Sequence, residues 1–398
     1  MILYNFLIMN IFYMIALTGT RPIVSLFADY CGATPTLIGL LVSTYALLPM
    51  LLSITVGKWL DYYNARKITL LGGGGMMVAL FIPVLSPNIL TLFFSQITLG
   101  FSQLCVLLTM QKIVGNFPGN RDKLIASFSL TASIGELVGP LISGYVYEHY
   151  GVEYTYASST AFVLIAFLMG VLLKSSYWHR NSSSSSYQKQ NLRSTLQLLA
   201  QVNLRKALII SGLVLYSKDL FTAYFPVYAA GAGISASQIG VILSAMAGMS
   251  IVVRLLQFYL VKTFSRGKVL TVTLIISGVS FLLIPFFTLP VPLTGLALFL
   301  GAGLGLGQPL SLVFSLNQSP VERHGEVLGL RLTINRASQF AAPFLFGTIG
   351  GIAGIPPIFW VSGGVLLIGS YFTRMTSVLK TKSVSSIDGK GYPNKFIT

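Results

Sequence analysis

The stretch Thr131-Ala-Ser-Ile-Gly-Glu-Leu-Val-Gly-Pro-Leu-Ile-Ser-Gly144 lies within an apolar segment running from about Leu124 to Tyr147. Gly135, Gly139 and Ser143 recur at every fourth residue, so on a helix they form one smooth stripe. Such a stripe lets a second helix approach closely in lipid, where packing rather than water drives association. Pro140 removes a backbone hydrogen bond and kinks the axis. Glu136 lies beside the stripe near mid-membrane depth, where a carboxylate is costly and marks function by default. Two readings stand for it: a group that titrates during function, or a protonated or hydrogen-bonded glutamate that ties two helices together.

The rest of the chain has the same character. Of 398 residues, 54% are hydrophobic and only 9% charged, which excludes a soluble globular protein. The mean hydropathy of +0.77 agrees. Many segments reach the roughly 20 apolar residues that cross a bilayer. Twelve spans are expected, the first over about 4–27 and the last over about 356–374. The apolar N-terminal run has no basic residue before it and no clean cleavage site, so it reads as the first span and not a signal peptide. The net charge of +16 does not call for nucleic acid. All but four of the 26 Lys and Arg residues fall in segments on one side, which predicts both termini in the cytoplasm. The exceptions, Arg21, Lys218, Arg254 and Arg336, lie inside spans. Cys31 and Cys105 suggest no disulfide framework, and no His/Cys cluster suggests a metal.

A polar stretch with a serine run, Ser182 to Ser186, divides the chain. We expect a six-helix half over 1–174, a cytoplasmic linker over 175–206, a second half over 207–374 and a cytoplasmic tail over 375–398. The halves repeat. At an offset of 201 residues Gly32, Thr34, Ile38-Gly39 and Ser43 match Gly233, Ser235, Ile239-Gly240 and Ser244. At an offset of 203, Pro140 and Gly144 match Pro343 and Gly347. Two parallel six-span repeats describe one transporter architecture. The opening stretch is then expected at the seam between the halves, with Pro343 and Gly347 on its partner helix.

Gly57-Lys-Trp-Leu-Asp61-Tyr-Tyr-Asn-Ala-Arg66-Lys67, after the second span, resembles the signature loop of the major facilitator superfamily. Gly57, Asp61 and Arg66 match it, whereas Tyr62, Asn64 and Ala65 depart. The stretch Gly135-x-x-x-Gly139-Pro140-x-x-Ser143-Gly144 resembles the span-5 motif of that superfamily's proton-driven exporters of the twelve-span drug:proton antiporter type. The resemblance implies an all-α membrane protein of two pseudo-symmetric six-helix halves. It also implies that the loop, with Gly57, Asp61, Arg66 and Lys67, acts as a cytoplasmic gate latch. A carboxylate at a helix N-terminus is favoured by the macrodipole. One departure counts against antiport. Gln96 stands where such exporters often carry an arginine ahead of Gly100.

The resemblance further implies that spans 1, 4, 7 and 10 line a central cavity, with spans 2, 5, 8 and 11 at the interface between halves. The clearest polar stripes fall on the first set: Thr18, Arg21, Ser25 and Asp29; Gln96 and Gln103; Lys218, Asp219 and Thr222; Gln308, Ser311 and Ser315. Arg21, Ser25, Gln96, Gln103, Lys218, Thr222, Gln308 and Ser311 are the candidate substrate contacts. Glu136 and Asp219 are candidate proton carriers, with Lys218 a substrate anchor. A Glu136–Arg254 link across the domain interface is expected, because their depths differ by only about five residues, or roughly 7–8 Å. Arg336 reads as an interface charge. Gly301-x-Gly303-x-Gly305-x-Gly307 lies inside an apolar span and reads as a packing surface, not a phosphate loop.

No catalytic or Walker motif appears, so neither an enzyme nor ATP drive is expected, and no cofactor or metal is implied. The leading expectation is a secondary transporter in the bacterial cytoplasmic membrane, functional as a monomer. It would export a small amphipathic, anionic or zwitterionic compound against inward proton flow. Uptake of a metabolite by symport or facilitated diffusion is the alternative. A membrane-embedded enzyme or scaffold is the reading from a different class.

Overall fold

The computed structural model describes residues 2–119, 121–174, 178, 198–317 and 323–372. The expected tail over 375–398 lies outside them, as does most of the linker. The chain is all-α and multi-span. Six long helices come first: α1 (Ile2–Tyr30), α2 (Pro35–Tyr62), α3 (Ala65–Leu85), α4 (Ile89–Gly115), α5 (Arg121–Tyr150) and α6 (Val152–Leu172). Six more follow: α7 (Val202–Gly231), α8 (Ala236–Leu255), α9 (Arg266–Leu283), α10 (Pro290–Asn317), α11 (His324–Ala353) and α12 (Pro356–Phe372). A short helix, Gln257–Phe264, extends α8. α7 starts at Val202, within the stretch expected as linker, and Leu198 before it is buried.

Among the described residues, ten helices are long and apolar enough to cross a membrane. The twelve expected spans are thus met by ten on length and composition. α12 has 17 residues, the lower end of the spanning range. α11 is diluted by Arg331, Asn335, Arg336 and Gln339 in its first half.

The repeat seen in the sequence does the same structural work twice. Gly32 and Gly233 hold φ of +78° and +81°, where a side chain would be strained, and end α1 and α7. Two residues later Thr34 and Ser235 cap α2 and α8, each side chain accepting from the N3 amide. A methyl group on Gly100 would come within 2.9 Å of the Tyr45 carbonyl carbon, and one on Gly301 within 3.0 Å of that of Met246. These contacts join α4 to α2 and α10 to α8. Among the first six helices α1 packs on α5 and α6, α3 on α4 and α6, and α2 on α4. Among the last six α7 packs on α11, α9 on α10 and α12, and α8 on α10.

Two long seams join these groups: α2 against α11 and α5 against α8. Both are tight at the end remote from the basic α2–α3 loop. A methyl on Gly39 would lie 3.0 Å from the Pro343 carbonyl carbon, and one on Gly240 would lie 3.1 Å from that of Pro140. Likewise a methyl on Gly347 would lie 3.2 Å from the Gly39 Cα, and one on Gly144 3.3 Å from the Gly240 Cα. This corrects the expected pairing. Pro343 and Gly347 meet α2, while the partner of α5 across the seam is α8. The stripe that opens the sequence also turns elsewhere. Gly135 and Gly139 face Met14, Ile15 and Gly19 of α1, while Pro140 and Gly144 make the close backbone contacts of the seam. Thr18 reinforces that inner contact by donating to the Gly135 carbonyl at 2.7 Å.

The glycines of α10 are packing surfaces, as expected. Gly301 and Gly305 face α8, Gly303 faces α9 and Gly307 faces Val214 of α7. The α2–α3 loop is held by helix-end contacts. Arg66 donates to the Val171 carbonyl at the end of α6 at 2.6 Å, and Lys112 donates to the Leu60 carbonyl at 2.7 Å. Lys67 is exposed, and no atom of another part of the chain would meet a methyl on Gly57. The side chain of Asp61 lies outside the described residues, so the expected latch is described only through Arg66.

Candidate functional site

A cavity of about 390 Å³ lies between the two groups of helices. Its lining ends at Arg21 on α1 and Pro140 on α5, and reaches Asn10, Phe128, Arg254 and Leu332 toward the basic end. It therefore occupies the middle and the basic half of the bundle, beneath the glycine seams that close the other end.

At its centre, adjacent residues of α7 pair with opposite charges on α1 and α5. Arg21 Nη1 donates to Asp219 Oδ1 at 2.7 Å, and Lys218 Nζ lies 2.6 Å from Glu136 Oε1. Neighbouring side chains on a helix point about 100° apart, so one α7 turn presents a cation to α5 and an anion to α1. Asp219 is only 7% exposed. Its second oxygen accepts from Gln339 Nε2 at 2.6 Å, and Gln339 Oε1 accepts from Arg336 Nη1 at 2.9 Å. Arg21 also lies over the Tyr45 ring, 4.5 Å from its centre. A buried ion pair persists only when further contacts satisfy its remaining groups; Gln339 supplies a hydrogen bond to the carboxylate and the Tyr45 ring face supports the guanidinium.

The expected Glu136–Arg254 link does not form. Lys218 takes Glu136, and Arg254 donates to Ser133 Oγ at 2.7 Å and to the Gly305 carbonyl at 3.0 Å. Ser133 is three residues before Glu136, on the turn of α5 that lies level with Arg254. Arg336 is buried in the cavity wall rather than at a helix interface.

Of the other candidates, Gln103, Thr222 and Gln308 line the cavity. The buried Gln103 Oε1 has no partner among the described residues. Gln308 donates to the Ser211 carbonyl at 2.7 Å and accepts from Arg331 at 2.6 Å. Gln96 borders only a small space beside Arg21 and Asp219. Ser25 and Ser311 are fully buried and do not line the cavity. Ser25 lies on α1 beyond Arg21, past the closed end. Ser311 donates back to the Gln308 carbonyl at 3.0 Å.

The sequence reading missed Asn10, Tyr45, Asn335 and Gln339. The repeat held a signal for two of them. Gln339 is the counterpart of Glu136 at the offset of 203, and Ser211, which bonds Asn335 at 2.8 Å, is that of Asn10 at 201.

The cavity charges do not balance. Arg21, Lys218, Arg254 and Arg336 line it, against Glu136 and Asp219. Among the described residues, Arg254 and Arg336 bond only neutral groups.

The family model described as Major Facilitator Superfamily matches residues 6–257 and 207–389. The chain belongs to this superfamily. An uncharacterized MFS-type transporter of Methanocaldococcus jannaschii is 24% identical over 344 residues, covering 84% of this chain and 87% of the relative. Multidrug resistance protein 2 of Bacillus subtilis is 22% identical over 365 residues, covering 89% and 90%. Among solved structures, the nucleoside transporter NupG superposes with a TM-score of 0.77 at 12% identity over 94% of this chain and 98% of that one. A bacterial homolog of the human lysosomal transporter Spinster, solved inward-facing and unoccupied, gives 0.75 at 12% over 94% and 95%. These structural likenesses show the fold. As a superfamily member the chain is a secondary-active transporter of small molecules and not an enzyme.

Proposed function

We propose that this transporter carries a small anionic or zwitterionic organic metabolite by alternating access, taking it up by symport or facilitated diffusion. The observation that carries the reading is the excess of cations over carboxylates in the cavity wall. An anion entering there meets Arg254 and Arg336, neither of which is in direct contact with a carboxylate among the described residues. Both cavity carboxylates are already held by cations, and Gln96 replaces the arginine common in proton-driven exporters, so antiport is the weaker reading.

Proton-coupled efflux stands second. It is favoured by the span-5 motif and by relatives named as multidrug resistance proteins in Bacillus subtilis and Klebsiella pneumoniae.

The mechanism we infer has two six-helix units, residues 1–174 and 207–374, rocking about the glycine seams. Both termini face the cytoplasm, and the protein works as a monomer in a bacterial cytoplasmic membrane. The cavity beneath closed seams is the inward-facing state. Every charge pair at its centre joins one unit to the other, so each must loosen as the units rock. A solute carboxylate that takes Arg21, or a proton that neutralises Asp219 or Glu136, supplies the exchange.

The test is transport in proteoliposomes with a panel of labelled anionic, zwitterionic and cationic solutes, with and without an imposed pH gradient. Saturable uptake of an anionic or zwitterionic solute is expected. Transport confined to lipophilic cations would refute the reading.

A further inference from the structure

A second cavity, of about 620 Å³, lies toward the basic end between α5 and α8. Its polar wall is Ser127, Ser129, Ser133, Arg254, Gln257, Gln308 and Arg331. No carboxylate lines it among the described residues. The guanidinium of Arg331 reaches inward to Gln308, and its buried Nε has no partner among the described residues. Arg254 and Gln308 also line the central cavity, so the two spaces share a wall.

The α5–α8 seam explains why space is left here. It is tight at Gly144 and Gly240 and spreads toward the other end, where Arg254 reaches across to Ser133. The rim of the opening is apolar and uncovered: Leu130 is 48% exposed and Leu255 77%. Next to it runs the short helix Gln257–Phe264, with Phe258 82% and Tyr259 66% exposed and Lys262 on its last turn. Exposed aromatics beside lysine are what the headgroup layer of a bilayer selects. The opening therefore faces lipid at headgroup depth.

The repeat has uncharged residues at the positions of both arginines. At the offset of 201 the counterpart of Arg254 is Ser53, and at 203 that of Arg331 is Phe128. Arg254 belongs to the α5–α8 seam and Arg331 to α11 of the other seam, and both line this one opening.

We propose that this side opening is a binding site for the headgroup of an anionic lipid. Its phosphate lies between Arg254 and Arg331, the serines of α5 donate to it, and its acyl chains remain in the bilayer along Leu130 and Leu255. Arginine favours such a site because its planar fork bonds phosphate in a bidentate manner.

The test is native mass spectrometry of the full-length protein in neutral detergent with equal amounts of phosphatidylglycerol and phosphatidylcholine. The wild type should retain phosphatidylglycerol by about tenfold, a preference that two near-surface arginines can supply. Arg254→Gln with Arg331→Gln should bring the ratio near unity, and the double lysine variant should keep most of it. Should the double glutamine variant misfold, the single Arg331→Gln change and photocrosslinking of an azide-bearing phosphatidylglycerol at Leu130 give the same answer. No preference in the wild type, an unchanged preference in the glutamine variants, or displacement of the lipid by millimolar inorganic phosphate would each overturn the proposal, the last pointing to a soluble anion. The lipid ratio is independent of solute transport, so failure of the metabolite reading leaves it unaffected.

Discussion

Arg21 of α1 and Asp219 of α7 form a 2.7 Å ion pair that crosses the bundle. One residue earlier on α7, Lys218 makes a 2.6 Å pair with Glu136 of α5. Cation and anion thus alternate between the two groups of helices. The pairs hold the groups together at the centre, while backbone contacts at glycine hold them at the end remote from the α2–α3 loop. The centre is polar and exchangeable. The closed end is made of packed backbone, which separates in one step or not at all.

Glu136 and Lys218 give the first prediction. Glu136→Gln leaves Lys218 without its anion in a half-buried position, and Lys218→Gln does the same to Glu136. Each should lower the transport rate by about tenfold or more, since removing one partner leaves a charge uncompensated. Glu136→Gln combined with Lys218→Gln should transport better than either single variant. Initial rates in proteoliposomes provide the measurement, and additive losses would mean that the pair does not act as a unit.

The glycine seams give the second. A methyl on Gly39 or Gly240 meets a carbonyl of the opposing helix, which cannot rotate away. Gly39→Ala and Gly240→Ala should each destabilise the closed end by about 1–3 kcal/mol, the usual cost of overpacking. Labelling of a cysteine at Thr222 by an impermeant maleimide from that end should accelerate in both. Gly57→Ala, where the added methyl meets open space, should not change it.

Tyr224 gives the third. Its hydroxyl donates to the Pro343 carbonyl at 2.6 Å and lies 3.2 Å from that of Pro35, so α7 braces the α2–α11 seam. The α5–α8 seam has Ile23 at the matching place, and Glu148 instead accepts from the Ser237 amide at 2.8 Å. Tyr224→Phe removes one hydrogen bond, about 1 kcal/mol, which shifts a two-state equilibrium about fivefold toward opening. The same cysteine-labelling assay should show it, and an unchanged rate would mean that glycine packing alone sets the closed state.

Much of this could be read in the sequence, and the part that could not has a physical cause. The repeat offsets foretold that Thr34 and Ser235 do one job and that Gly39 and Gly240 do another, because caps and close contacts depend on local chemistry that the letters carry. Depth in the membrane was also legible, since it follows from counting residues at a fixed rise. Azimuth was not. Glu136 was expected to reach Arg254 on the strength of depth, but Lys218 approaches from α7 at the level of Glu136 and Arg254 meets Ser133 one turn away. The stripe of Gly135 and Gly139 likewise predicted a close neighbour without saying that it is α1. Ser25 shares a face with Arg21 but lies beyond the point where the cavity ends. Gln339 carried no charge to draw attention, yet it bonds both Asp219 and Arg336.

The central claim is that the Arg21–Asp219 pair is a working link between the two groups of helices rather than a fixed brace. Initial transport rates in proteoliposomes for Arg21→Asp, Asp219→Arg and the double exchange test it most directly. Each single reversal should abolish transport, because it sets like charges against each other, and the double exchange should restore a measurable fraction. Full transport in either single variant, or a double exchange that folds and inserts normally yet stays as inactive as both singles, would contradict it.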